Sequence, residues 1–244
     1  TLMMTHKNII EFKTLDMLDG LITEPIPAKK AIPDWYKNMQ KELSGIRLVD
    51  DGSVLKPNQS MSIKACPPIQ DYLCTGYILP NITDLWMSYF GKREDGPEYG
   101  GVPTLDFNYI ELHTPEQVEG SNIQGQDVYK ILSPWMIKTP PGYSCLFLKP
   151  YFLDTKGINI IPAVVDTDIF HTVNFPFLFE STGKEELIPL GTPLVHVIPF
   201  KRESWKKEMV KITDDEYRKG RKRATLMLKN FYKKLRQGNK RDFT

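Results

Sequence analysis

Between Trp135 and Arg202 the chain carries three short stretches in close succession. The first is Pro140-Pro141-Gly142-Tyr143-Ser144-Cys145-Leu146-Phe147. The second runs Val164-Val165-Asp166-Thr167-Asp168 and continues to Val173-Asn174-Phe175-Pro176-Phe177. The third is Gly191-Thr192-Pro193 leading into Val195-His196-Val197-Ile198-Pro199-Phe200. Each is an apolar, β-branched or aromatic run closed off by Pro, Gly or Asp, the pattern of a packed strand held between tight turns. Strands recur at intervals too short for intervening helices, which favours antiparallel pairing over βαβ units. The expected fold is mainly β: an antiparallel sandwich or distorted barrel, with an N-terminal extended arm plus short helix and a C-terminal amphipathic helix.

The 244 residues and their 41% hydrophobic content suffice for one large domain with extensions. Prolines (19) outnumber glycines (16), which favours short strands and fixed turns. Cys66, Cys74 and Cys145 form no C-x-x-C, so neither a disulfide framework nor a zinc knuckle is indicated. No run approaches the ~20 apolar residues of a membrane helix, and Thr1–Asp19 has no signal-peptide core. A soluble, cytoplasmic protein is expected. Its charge is uneven. Residues 201–244 hold 16 Lys/Arg against 6 Asp/Glu, a net of +10, which leaves −8 on the other 200 residues. Such a tail suits an acidic surface, its own body or nucleic acid. Nucleic acid is the less favoured partner, because aromatic residues are not interleaved on the basic face of the helix.

Three segments are expected. Residues 1–60 read as an arm and a short helix that starts at Pro33-Asp34-Trp35-Tyr36, ends at Ser44-Gly45 and is anchored by Trp35 and Leu43. Residues 61–200 read as the β core, with a strand at Ser62–Cys66 and a helical turn opened by Pro67-Pro68. Leu85–Phe90 and Leu105–Leu112 should form a hairpin with a long tip over Gly91–Pro103. Exposed connections follow at His113–Asp127, Asp154–Gly157 and Ser181–Glu186. Residues 201–244 hold the basic helix, expected to pack on the core. Thr213 and Glu216 form its capping box, Tyr217, Ala224, Leu228, Phe231 and Leu235 its apolar stripe, and Gly238 its stop.

Asp166 and Asp168 are the candidate catalytic residues. Alternate strand residues share a face, so two nearby carboxylates can divide acid and base roles or bind a hard cation. The simpler use is turn formation at a strand end. His171, Asn174 and His196 are candidate binding residues. His171 and His196 on neighbouring strands, with Asp168 or His113, would make a facial metal triad, but no ligand spacing is present and neither metal nor cofactor is expected. There is no G-x-S-x-G elbow, P-loop or G-x-G-x-x-G, and Cys145 reads as core.

Trp135–Ser144, the Val165–Pro176 block and Gly191–Arg202, together with Ile26-Pro27-Ala28-Lys29-Lys30, Pro33–Tyr36 and Cys66-Pro67-Pro68, resemble an uncharacterised family of bacteria and tailed phages. That resemblance implies host cytoplasm or virion as the location and no established chemistry. Ala163-Val164-Val165-Asp166 with Phe170, then Gly191–Val197, is similar to the closing strands of the dUTPase fold, which implies that Asp166 would orient the attacking water and read the sugar. The Arg-Ser-Ser phosphate motif and Gly-rich C-terminal arm of that family are missing here. The leading expectation is a non-catalytic binding or assembly protein that engages a protein partner or self-associates. The alternatives are a dUTPase-like nucleotide hydrolase using Asp166 or Asp168, and a metal-dependent β-sandwich enzyme.

Overall fold

The computed structural model describes residues 8–41, 47–48, 54–55, 62–88, 109–180, 185–226 and 243, with the backbone alone at 47–48, 54–55, 88, 115 and 223–226. In chain order the elements are β1 (Glu11–Lys13), β2 (Ile26–Pro27), α1 (Asp34–Asn38), β3 (Arg47–Leu48), β4 (Val54–Leu55) and α2 (Pro67–Cys74). There follow β5 (Tyr77–Pro80), β6 (Leu85–Ser88), β7 (Ile110–Leu112), β8 (Val128–Lys138), β9 (Tyr143–Leu148) and β10 (Ile158–Ile160). The last are β11 (Ala163–Val165), β12 (Thr172–Phe179), β13 (Glu185–Ile188), β14 (Pro193–Lys201) and α3 (Asp214–Leu226). Two compact units result: residues 1–31 with 76–203, and residues 32–75 with 204–244.

The first unit is an antiparallel sandwich. One sheet has the order β1-β8-β12-β10, with β7 also on β8, and the other β11-β9-β14-β5-β2. The strand faces alternate as the sequence pattern requires: Val173, Phe175, Phe177 and Phe179 of β12 are buried while Thr172 and Asn174 are exposed. Inward residues of both sheets form one core, including Ile131, Ile137, Phe175 and Phe177 from the first sheet and Cys145, Phe147, Val195 and Val197 from the second. The Phe147 and Phe175 rings meet across it at 5.3 Å. The N-terminal arm is stitched into the sandwich, with β1 pairing β8 and β2 pairing β5.

Several expected pairings are replaced by others. β6 pairs β13 and β7 pairs β8, so among the described residues they do not pair with each other. Glu185 and Glu186, expected in a turn, belong to β13. Residues 63–65 form a 3-10 turn, closed by the Cys66 N–H on the Ile63 carbonyl (3.0 Å), just before the helix that Pro67 and Pro68 open. The tip Gly91–Pro103 lies outside the described residues.

Asn81 joins the ends of these strands. It is fully buried, and its amide nitrogen donates to the carbonyls of Thr83, Ile188 (2.9 Å) and Pro189 (3.2 Å). Its backbone N–H donates to the Thr192 carbonyl (2.7 Å), and Tyr109 Oη donates to its Oδ1 (3.0 Å). A buried amide satisfied this fully fixes three loop ends at once.

In the second unit α1 stops at Met39, earlier than expected, and buries Tyr36 while Trp35 is 45% exposed. Leu43, Ser44 and Gly45 lie outside the described residues. α3 has its capping box: the Thr213 N–H donates to Glu216 Oε2 (2.8 Å) and the Glu216 N–H to Thr213 Oγ1 (3.3 Å). Of the expected stripe only the Tyr217 side chain is described, and it is 56% exposed. The Ala224 side chain, Leu228, Phe231, Leu235 and Gly238 lie outside the described residues.

Candidate functional site

The three sequence stretches meet at one end of the sandwich. Pro140-Pro141-Gly142-Tyr143 is a tight turn, closed by the Tyr143 N–H on the Pro140 carbonyl (3.2 Å), and Gly142 adopts φ +84°. Pro followed by Gly at the centre is what a type II turn requires. This turn carries the chain from β8 in one sheet to β9 in the other. The return crossing, from β11 to β12, is a single helical turn in which the Ile169 and Phe170 N–H groups both donate to the Asp166 carbonyl at 2.9 Å. The crossings lie side by side. The Thr139 N–H reaches the Thr167 carbonyl (3.2 Å), and the Thr139 and Thr167 hydroxyls are 2.7 Å apart.

Arg202, just past β14, locks them. Its guanidinium holds Asp168 bidentately, Nη1 to Oδ1 at 2.7 Å and Nη2 to Oδ2 at 2.6 Å. Nη1 also donates to Ser144 Oγ (3.1 Å) and lies 3.3 Å from Asp166 Oδ1, which accepts the Ser144 hydroxyl at 2.6 Å. The Gly142 N–H completes the coordination of Asp168 Oδ2 at 2.7 Å. The Asp168 side chain is 7% exposed and that of Asp166 53%. Arg202 and the Gly142 amide hold the Asp168 carboxyl down to about 2. Charge-assisted, two-pronged bonding of this kind is a clamp. It leaves Asp168 without a proton to give at neutral pH.

Both carboxylates lie beside Arg202, projecting from a turn beyond β11. Nothing in the sequence singled Arg202 out from the other basic residues of the tail. The neighbouring thiol is equally inert: burial pushes Cys145 up to about 11, and Thr167 Oγ1 donates to its sulfur at 3.3 Å.

The other candidates are scattered. His196 is 2% exposed on β14 and alternates with the core residues Val195 and Val197, so it faces away from the inter-sheet core. His171 precedes β12 in the opposite sheet, where its carbonyl accepts the Ile137 N–H (2.9 Å). The two histidines are therefore not on neighbouring strands, and the facial triad has no geometry to form it. Asn174 is exposed opposite Leu132. Among the described residues no group of three or more His, Cys, Asp or Glu is placed to hold a metal ion, and no helix is long and apolar enough to cross a membrane. A small cavity of about 20 Å³ lies between Leu79, Ile82, Tyr109, Ile131, Trp135 and Phe175, and neither aspartate lines it.

Residues 204–213 carry what sequence reading passed over. This segment, between Glu203 and α3, is neither helix nor strand and is exposed throughout. Trp205 is 87% exposed, Met209 81%, Val210 71% and Ile212 60%. The signal was available as apolar residues set among Lys206, Lys207, Glu208 and Lys211, but a charged run of this kind reads as a solvated face.

No protein-family model matches the chain, and no curated protein matches it. Among the solved structures similar at a low level are three of dUTPases. The native dUTPase of EIAV has a TM-score of 0.32 at 11% identity over 56% of this chain and 87% of its own. The D95N mutant dUTPase of phage phi11 of S. aureus has a TM-score of 0.33 at 10% identity, over 57% of this chain and 85% of its own. A second structure of the phi11 dUTPase gives 0.31 at 10% identity over 70% and 97%. Likeness at such TM-scores does not extend to the geometry of a site.

Proposed function

We propose that this protein is a non-catalytic binding or assembly protein and that residues 204–212 are its contact segment. One observation carries the reading: four large apolar side chains in nine residues, Trp205, Met209, Val210 and Ile212, stand 60–87% exposed. Single exposed apolar residues need no explanation, but a contiguous set marks an interaction surface. The Asp166–Asp168 corner supports the same reading from the other side. Its most buried carboxylate is engaged by Arg202 and Gly142, which suits closing the sandwich and does not suit proton transfer.

Hydrogen exchange at residues 204–212 tests this in three settings: the concentrated chain alone, the dilute chain with single-stranded RNA, and the dilute chain with anionic lipid vesicles. Protection in at least one is expected, and lack of protection in all three refutes the contact segment. The hydrolase alternative predicts turnover of a nucleoside triphosphate with magnesium that Asp166→Asn abolishes while the fold survives. That result would displace the binding reading.

A further inference from the structure

Resting on that contact segment, we infer that its partner is a second copy of this chain. The segment makes two demands. Trp205, Met209, Val210 and Ile212 need apolar surface, and Lys206, Lys207 and Lys211, set against Glu208 alone, need acidic surface. A nucleic acid answers only part of this. Trp205 could stack on a base and the lysines meet phosphates, but Met209, Val210 and Ile212 have no π-face to stack on and gain little beside a polyanion.

The remainder of this chain answers both demands. Residues 1–200 carry a net −8 against +10 on residues 201–244, so two copies attract each other tail to body. The sandwich also presents exposed apolar side chains close together in sequence, Val164 at 59%, Ile169 at 75% and Phe170 at 61%, with the half-exposed carboxylate of Asp166 between them in sequence. The side chains of 204–212 are exposed. Nine residues reach at most about 30 Å when extended, enough to cross onto a neighbour. Reciprocal docking of this kind uses the same two surfaces on each copy and closes on itself.

The test is sedimentation equilibrium of the full chain over a wide concentration range, at low and at high salt. Self-association is expected, weakening as salt rises. The triple variant Trp205→Ser, Met209→Ser, Ile212→Ser should weaken it at least tenfold while thermal unfolding of the dilute protein is unchanged. Lys206→Glu with Lys207→Glu and Lys211→Glu should weaken it and flatten its salt dependence. A chain that stays monomeric throughout, or a triple variant that associates like the parent, overturns the inference. If the monomeric chain is instead protected at 204–212 by single-stranded RNA or by vesicles, the second copy is wrong and the contact segment stands. Protection by nothing removes both.

Discussion

Trp135 and Trp205 belong to one chain and meet opposite fates: the first is 7% exposed in the sandwich, the second 87% exposed before α3. Met87 and Met209 repeat the contrast at 1% and 81%, and Val197 and Val210 at 0% and 71%. Side-chain chemistry is matched across the two regions, so the difference lies in the backbone. In the sandwich, paired strands alternate their faces and give each inward residue a facing sheet to pack against. Residues 204–213 form neither helix nor strand, and their side chains are exposed.

The largest effect that can break this comparison is a core deletion. Phe177→Ala, at a fully buried position stacked on Tyr129, should cost about 3–5 kcal/mol in urea unfolding. Trp205→Ala removes a larger side chain and should stay within about 0.5 kcal/mol in dilute protein. Equal costs would mean that the segment belongs to the fold. Asn81→Ala should come next, at about 3 kcal/mol, because it leaves the carbonyls it serves without a donor inside the sandwich.

Two glycines with the same backbone conformation sharpen the role of packing. Gly157 has φ +81°, and a Cβ there would sit 2.2 Å from the Glu180 carbonyl oxygen. Gly142 has φ +84° and open space. Gly142→Ala should cost about 1–2 kcal/mol for the left-handed backbone alone. Gly157→Ala should cost clearly more, since a strand must also move. Equal melting temperatures for the two variants would show that the β10–β12 contact yields easily.

The clamp should give a smaller, pH-dependent effect. Asp168 is held at about 2 when folded, below its ordinary carboxylate value, so its contribution is complete above about pH 4 and is lost as pH falls toward 2. Asp168→Asn should lower the melting temperature at neutral pH by several degrees and flatten the acid limb of the stability profile. Asp166→Asn, at the more exposed carboxylate, should do less. The reverse order would place the important charge at Asp166 and reopen it as a site.

Much of the sandwich was legible because its signals are local. Pro141-Gly142 announces a turn that only a positive φ at the second position can make, the alternation Val173-Phe175-Phe177 announces a buried face, and Thr213 with Glu216 announces a helix start. What was illegible depends on partners far apart in the chain. β6 finds β13 about a hundred residues away, and Asn81 finds Ile188 at a separation of 107. Trp35 and Tyr36 are adjacent in a short helix, and only packing decides that Tyr36 is the one buried.

The sequence by itself determined the strands between Tyr143 and Lys201 that it marks with apolar runs, where the Pro141-Gly142 turn falls and how α3 is capped, because steric limits on φ and ψ and hydrogen bonds three residues apart act within a few positions. Tertiary structure alone decided the use of the charged residues. Asp166 and Asp168 read equally as catalytic carboxylates or turn formers until Arg202, 34 residues beyond Asp168, is brought to 2.6 Å by the pairing of β14 with β9. It likewise decided that the tryptophan beside Lys206 stays in solvent: burial requires an opposing surface, and no local pattern says whether the fold supplies one.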